Sequence, residues 1–202
     1  MSKGKQKRSK VRVPRIYIDT NIARDYSERR DFNSIHLLET IRERKWECFS
    51  SPYLMMELCD IEKDKILFND RVVRRNWTID RFLRERRKPN LKKEHFEEVD
   101  KYLDVFIRSL EFINLWVLDE RGWNIALFLS INSNLSAPDV IHFATAFTYG
   151  CDIFVTRDDH LMKDGNVILR RKSLLKEMGV KTFKISQPHK ALDVLKRLRF
   201  KK

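Results

Sequence analysis

Short apolar runs alternate with helical segments along this chain, and that alternation limits the folds open to it. Residues 16–18 and 152–156 contain continuous apolar runs, typical of strands that are buried on both faces of a parallel sheet. Further strands are predicted at residues 46–49, 115–118 and 181–185. The sequence therefore predicts an α/β fold, with helices on both faces of a central, mainly parallel five-stranded sheet.

Start and stop signals locate the helices between these strands. Ser51 followed by proline predicts one helix start, and Ser136 is the predicted N-cap of another helix, which Gly150 ends. Other helices are predicted at residues 21–41, 123–131, 173–178 and 188–198, and in the charged stretch 70–111, with a break near residues 89–90. We expect a basic tail at residues 1–15, disordered when free, and a single domain at 16–200 that contains a charged helical insertion at about 70–111.

Four acidic residues stand at positions where strands end or helices begin. Asp19 directly follows the first strand, and Asp158 follows the fourth. Glu57 lies in the second turn of the helix after the second strand, and Asp139 lies in the first turn of its helix. Because ligands of open α/β sheets bind beyond the carboxyl ends of the strands, we expect these carboxylates to converge at one edge of the sheet.

Each of these acids also has an ordinary structural explanation. Asp139 is three residues after Ser136 and would complete a capping box with it. Asp158 would suit a solvated turn, and Glu57 an exposed helix surface. Asp19 is the hardest to explain in this way, because a charge that closes a buried strand needs a partner.

A group of carboxylates in a basic protein can serve to bind a divalent metal ion. Grouped carboxylates raise one another's pKa unless a cation neutralises them, and oxygen ligands favour Mg²⁺ or Mn²⁺ over zinc. Such ions activate water and stabilise the leaving oxygen of a phosphodiester. The net charge of +13 favours polyanionic partners. A metal-dependent nuclease fits both features.

Four segments carry a resemblance to a known family. They are residues 16–21 (IYIDTN), 51–58 (SPYLMMEL), 135–146 (LSAPDVIHFATA) and 153–158 (IFVTRD). In this order, and at these structural positions, they resemble the four acidic motifs of the PIN-domain nucleases. The resemblance covers roughly residues 15–70 and 112–200.

This resemblance implies a three-layer α/β/α fold and metal-dependent cleavage of single-stranded or unpaired RNA, leaving a 5′-phosphate. Asp19, Asp139 and Asp158 would bind Mg²⁺ or Mn²⁺, and Glu57 would be a further ligand or would orient the attacking water. The residues that would hold these carboxylates in place are Thr20, Asn21, Ser51 and Thr156.

Many members of the family are VapC-type toxins that an antitoxin inhibits. An antitoxin-like protein and a second copy of the chain are therefore the candidate protein partners, beside RNA. The charged segment 70–111 and the basic tail depart from the toxin pattern. Because no apolar segment follows the basic start and the three cysteines show no metal-ligand spacing, we expect a cytoplasmic protein without signal peptide or membrane span.

The segment 71–93 is rich in arginine and lysine, and Trp77 and Phe82 lie among these basic residues. One interpretation is an RNA-binding surface, on which basic side chains contact phosphates and aromatic rings stack on unpaired nucleobases. The alternatives are a solvated helical hairpin with packed aromatic rings, or a docking surface for an acidic partner. The candidate RNA-binding residues are Arg74, Arg75, Arg81, Arg84, Arg86, Arg87 and Lys88.

Three other functions compete with a metal-dependent nuclease. A non-catalytic PIN-like RNA-binding module, acting in RNA processing or a larger complex, is the strongest. A phosphoaspartate phosphatase would need a second aspartate where Asn21 stands. Metal-free RNA cleavage would use histidines, of which His142 and His160 lie near the acidic motifs.

Overall fold

The structure is a computed structural model that describes residues 12–85 and 91–197. The chain divides into two compact units, one of Met1–Ser51 with Phe112–Lys202 and the other of Pro52–Glu111. The tail up to residue 11, the break expected near residues 89–90 and residue 198 lie outside the described residues. The single domain with an insertion stays a prediction.

The first unit is built on a five-stranded sheet in the order β3-β2-β1-β4-β5. Every neighbouring pair of strands is parallel. The strands are β1 (Arg15–Ile18), β2 (Glu47–Ser50), β3 (Asn114–Leu115), β4 (Ile153–Val155) and β5 (Lys184–Ser186). The predicted parallel five-stranded sheet is confirmed, with strands shorter than or shifted from the expected ranges.

Helices surround the sheet and form the second unit. In chain order they are α1 (Thr20–Ser27), α2 (Phe32–Glu43), α3 (Tyr53–Phe68), α4 (Ile79–Glu85), α5 (Lys93–Ser109), α6 (Glu120–Asn132), α7 (Ala137–Thr148), α8 (Asp159–Arg170), α9 (Lys172–Glu177) and α10 (Pro188–Arg197). A π-helical segment, Asn69–Arg74, follows α3. In the ranges 12–85 and 91–197, no helix is long and apolar enough to cross a membrane.

Both faces of the sheet are covered. Successive side chains of a strand point to opposite faces, yet Ile16, Tyr17 and Ile18 of β1 are all fully buried. On one face, Tyr17 stacks on Phe154 of β4 with ring centroids 4.9 Å apart. Phe143 of α7 packs against Phe154 at 5.0 Å. Burial of successive side chains on both faces explains the continuous apolar strands and agrees with the predicted three-layer α/β/α fold.

Several predicted boundaries in the first unit are wrong. The helix expected at residues 21–41 is two helices, because Arg29 takes a left-handed φ of 55° between α1 and α2. No helix was predicted where α8 lies. Arg15, placed in the disordered tail, is part of β1, where its guanidinium bonds Glu47 at 2.9 Å.

Candidate active site

The carboxyl ends of β1 and β4 lie side by side in the middle of the sheet. Strands β2 and β3 extend from one side of this pair and β5 from the other, so the strand order reverses here. Ligands of open parallel sheets bind in the crevice that such a reversal leaves beyond the strand ends. Asp19 directly follows β1, and the loop 156–158 follows β4. Two of the predicted site residues, Asp19 and Asp158, therefore stand at the ends of neighbouring strands.

Hydrogen bonds from three neighbours orient the Asp19 carboxylate. Its Oδ1 accepts from the Thr20 backbone amide at 2.7 Å. Its Oδ2 accepts from Asn21 Nδ2 at 2.7 Å and from Thr156 Oγ1 at 2.6 Å. Asp19 is only 7% exposed, and a buried carboxylate needs partners of this kind. The structure thus brings Thr20, Asn21 and Thr156 to Asp19, with Thr20 acting through its backbone.

The Thr156 hydroxyl connects the ends of β1 and β4. Besides donating to Asp19, it accepts from the Asp158 backbone amide at 2.9 Å and from Asn21 Nδ2 at 3.2 Å. The Asp158 side chain is exposed and forms the N-cap of α8, with Oδ1 accepting from the Leu161 amide at 2.9 Å. Hydrogen bonds therefore hold both the backbone amide and the side chain of Asp158, while its carboxylate remains open to solvent.

Asp139 forms the capping box that the sequence predicts and also lies near Asp158. Ser136 Oγ donates to Asp139 Oδ2 at 2.6 Å, and the Asp139 amide donates back to Ser136 Oγ at 3.4 Å. Burial raises the pKa of the Asp139 carboxyl, its hydrogen bonds with Ser136 lower it, and the negative charge of Asp158 makes a smaller raising contribution. The capping explanation therefore applies to Asp139, and its role at a metal stays a prediction.

Glu57 and Ser51 are the two remaining residues of the predicted site. Glu57 lies in the second turn of α3, within the unit Pro52–Glu111, and is half-buried. Ser51 is buried in the first unit, where its backbone amide bonds the Tyr17 hydroxyl. The roles expected for these two residues at the metal stay predictions.

Carboxylate oxygens of the predicted site are suitable ligands for a divalent cation. Within residues 12–85 and 91–197, no three His, Cys, Asp or Glu side chains are grouped so that they could hold a metal ion. Mg²⁺ needs fewer protein ligands than that, because it usually binds through one or two carboxylates and completes its shell with waters and substrate phosphates. One or two carboxylates of the predicted set, such as the solvent-exposed Asp158, would be enough for this mode of binding.

An ion pair between Arg157, next to Asp158, and a buried aspartate is not predicted by the sequence. The guanidinium of Arg157 pairs with Asp25 of α1, whose side chain is 2% exposed. The Arg157 amide also donates to Asn21 Oδ1 at 3.2 Å. Asn21 and Asp25 are four residues apart and share one face of α1, which is the only local signal of this contact. The pair holds the loop 156–158 against α1.

His142, one turn after Asp139, is a core residue in this structure. It is 1% exposed, and its Nδ1 is 2.7 Å from the Tyr17 hydroxyl. Burial raises the pKa of Tyr17 well above its usual value, so Tyr17 stays protonated in this contact. A solvent-facing role in acid–base catalysis is therefore excluded for His142, whereas His160 is exposed beside Asp158.

The basic segment lies in the second unit, and its two aromatic rings differ. Phe82 of α4 is 6% exposed and packs edge-on against Phe68 at 5.5 Å, so it is a packing residue and does not stack on bases. Trp77 is half-buried between Arg81 at 3.9 Å and Arg71 at 5.0 Å from its ring. Four candidate RNA-binding residues are exposed, namely Arg74, Arg75, Arg81 and Arg84. The other three, Arg86, Arg87 and Lys88, lie outside the described residues.

Comparison with known proteins bears on the identity of this fold and site. A family model of the PIN domain matches residues 16–164, a span that contains β1 to β4 and all four predicted carboxylates. This span is more than half of the 202-residue chain. None of the curated proteins matches the chain. The chain belongs to the PIN-domain family, whose members are generally nucleases.

Proposed function

We propose that this protein is a Mg²⁺- or Mn²⁺-dependent endoribonuclease that hydrolyses single-stranded or unpaired RNA at the carboxyl ends of β1 and β4. The observation that carries the proposal is the placement of Asp19 and Asp158 at the adjacent carboxyl ends of β1 and β4, where the Thr156 hydroxyl bonds both residues. Burial also raises the pKa of the Asp139 carboxyl, an effect that a bound cation would offset. Membership of a nuclease family makes a catalytic metal the simplest candidate for that cation.

Asp19, Asp139 and Asp158 would hold the ion, and Glu57 would be a further ligand or would orient the attacking water. When bound, the ion lowers the pKa of a water molecule and neutralises charge on the leaving oxygen. Asp19 is fixed in advance by its hydrogen bonds to Asn21 and Thr156. That fixed geometry limits the reorganisation needed during the reaction.

The remaining chain would supply the affinity for RNA. The net charge of +13 attracts a phosphate backbone. The exposed arginines of α4 and of the segment before it would contact phosphates of the RNA, and Trp77 beside them would contact a nucleobase. Because each such contact releases counterions, binding should weaken steeply as salt concentration rises. Removal of residues 1–11 should flatten that dependence, and an unchanged slope would count against a role of the tail.

Cleavage of a labelled single-stranded RNA by purified protein tests the proposal. We expect cleavage in Mn²⁺, none in EDTA, and none with Asp19→Asn. Asp193→Asn is the matched control, because Asp193 is an exposed carboxylate of α10 that pairs only with Lys196 among the described ion pairs. Intact RNA with the wild-type protein in Mn²⁺, or full activity of Asp19→Asn, would overturn the proposal.

A non-catalytic RNA-binding module is the second candidate. The observation that favours it is that, within the described ranges, no three metal-binding side chains are grouped together. This candidate predicts salt-dependent RNA binding by wild type and Asp19→Asn alike, with no cleavage by either protein in Mn²⁺.

If the protein is a toxin, its ribonuclease activity serves to arrest growth. A toxin role predicts that expression of the wild-type chain arrests growth, that Asp19→Asn does not, and that an acidic antitoxin-like protein relieves the arrest. Normal growth of cells that contain soluble, RNA-cleaving protein would separate the nuclease from the toxin.

A further inference from the structure

Phe32, the first residue of α2, is unusually exposed. Its exposed fraction is 79%, the highest among the large apolar side chains of residues 12–85 and 91–197. Single exposed apolar residues are common, so exposure alone identifies no site. The surroundings of Phe32 are what distinguish it. Its neighbours Asn33, His36, Arg29 and Arg30 are all polar or basic and exposed, while Ile35, one turn further along α2, is half-buried.

His36 extends the flat surface of the Phe32 ring. The two residues are four positions apart on α2, which places them on one face of the helix. Their rings are nearly parallel, at 9°, with centroids 6.2 Å apart. A pair of offset, parallel rings is a geometry that also suits stacking of a nucleobase.

A series of polar contacts connects Asp31, the residue before Phe32, to the loop that carries Asp158. Asp31 caps α2, with Oδ2 accepting from the Ser34 amide at 2.8 Å and from Ser34 Oγ at 2.9 Å. The same hydroxyl is 3.4 Å from Asp25 Oδ2, and Asp25 pairs with Arg157. Arg157 precedes Asp158 in the chain. The start of α2 is therefore anchored to the loop that carries a proposed metal ligand.

Positive charge lies along this connection. The side chains of Arg157 and Arg30 both contact Asp25 and are 47% and 46% exposed. Each guanidinium therefore retains a surface for a phosphate on the strand that bears a stacked base. An aromatic ring beside partly exposed guanidinium groups is the arrangement with which proteins hold single-stranded nucleic acid.

We propose that Phe32 is a stacking platform for an unpaired nucleobase of the RNA strand that is cut beside Asp158. The inference rests on the proposed ribonuclease function and extends it by assigning a base-binding position. The polar and basic surroundings of the ring favour a nucleobase over an apolar protein surface. The platform selects unpaired RNA, since a base within a duplex has no free face to stack on.

The test compares Phe32→Leu, which keeps an apolar side chain, with Phe32→Tyr, which keeps the ring. Trp123→Leu is the matched control, because Trp123 is an aromatic residue of α6 that is 54% exposed. Binding of single-stranded RNA containing 2-aminopurine is followed by fluorescence in EDTA, and cleavage is measured separately in Mn²⁺. We expect Phe32→Leu to weaken binding about tenfold or more and to lose the quenching that stacking causes. Phe32→Tyr and Trp123→Leu should behave as wild type.

The outcomes separate this inference from the nuclease proposal. If the wild-type protein cuts RNA while Phe32→Leu binds and quenches normally, the platform is refuted and the nuclease stands. Equal losses in Phe32→Leu and Trp123→Leu also refute it. If wild-type protein neither binds nor cuts RNA, both proposals fail. Unchanged thermal unfolding of Phe32→Leu shows that any loss is one of binding, as expected for so exposed a side chain.

Discussion

Replacement of Thr156 by valine tests how the two central strand ends are joined. The Thr156 side chain is fully buried, and its hydroxyl takes part in three hydrogen bonds, with Asp19, Asp158 and Asn21. Valine has nearly the same shape, so Thr156→Val removes the hydroxyl and leaves the packing intact. The change isolates the contribution of these hydrogen bonds.

The size of the effect follows from the partners of the hydroxyl. The bond to the Asp19 carboxylate should contribute about 1.5–3 kcal/mol, because its acceptor is charged and buried. The bonds to Asp158 and Asn21 should add less than about 1 kcal/mol in total, because these residues are exposed and half-buried, and water can replace the hydroxyl. We therefore expect the free energy of unfolding to fall by about 1.5–4 kcal/mol, and Tm by roughly 3–16 °C for a chain of this length.

Thermal unfolding followed by circular dichroism measures this loss, with Thr148→Val as control. The Thr148 hydroxyl donates at 2.7 Å to the Ala144 carbonyl within α7, so its removal leaves no buried charge without a partner. The control should lose less than about 1 kcal/mol. Equal Tm values for Thr156→Val and Thr148→Val would refute the view that Thr156 stabilises the buried Asp19 carboxylate.

Three further perturbations have defined outcomes. Gly165→Ala should lower the free energy of unfolding by about 1–3 kcal/mol, because the added Cβ would be 2.7 Å from Ile185 Cδ1. Chemical denaturation measures this loss, and an unchanged midpoint would contradict the close packing of α8 on β5. Asp139 has a raised pKa, so its ionisation destabilises the fold, and this cost appears as pH rises through the folded-state pKa. Without divalent metal, Asp139→Asn should therefore be more stable than wild type at pH 7, with the difference shrinking towards pH 3; a constant difference would argue against the titration of Asp139 as its cause. Asp25→Asn should slow RNA cleavage about tenfold or more by releasing Arg157 next to Asp158, and an unchanged rate would show that the ion pair does not position the loop.

Local signals were enough to predict much of the sheet and some of the site. Strands β1 and β4 are continuous apolar runs because both faces of each are buried, and such runs are visible in the sequence. The Ser136 cap and the left-handed φ of 61° at Gly150 follow rules that operate within a few residues. Asp19 was identifiable because it is a charge at the end of a buried strand.

Other features depend on contacts that local patterns do not reveal. Helix α8 was missed because Gly165 interrupts its pattern, and that glycine is present to let Phe143 approach closely. The turn at Arg29 takes a left-handed φ without a glycine or proline to indicate it. Asp25 and Arg157 are 132 positions apart, and only the pairing of β1 with β4 brings them together.

Titration of Mn²⁺ into the RNA-free protein tests most directly whether Asp19, Asp139 and Asp158 form a site for a divalent cation. We expect saturable binding to the wild type, binding at least about tenfold weaker in Asp139→Asn, and no change in Asp164→Asn, which alters an acid further along α8. Absence of saturable binding, or equal affinity of wild type and Asp139→Asn, would contradict the assignment of the metal site.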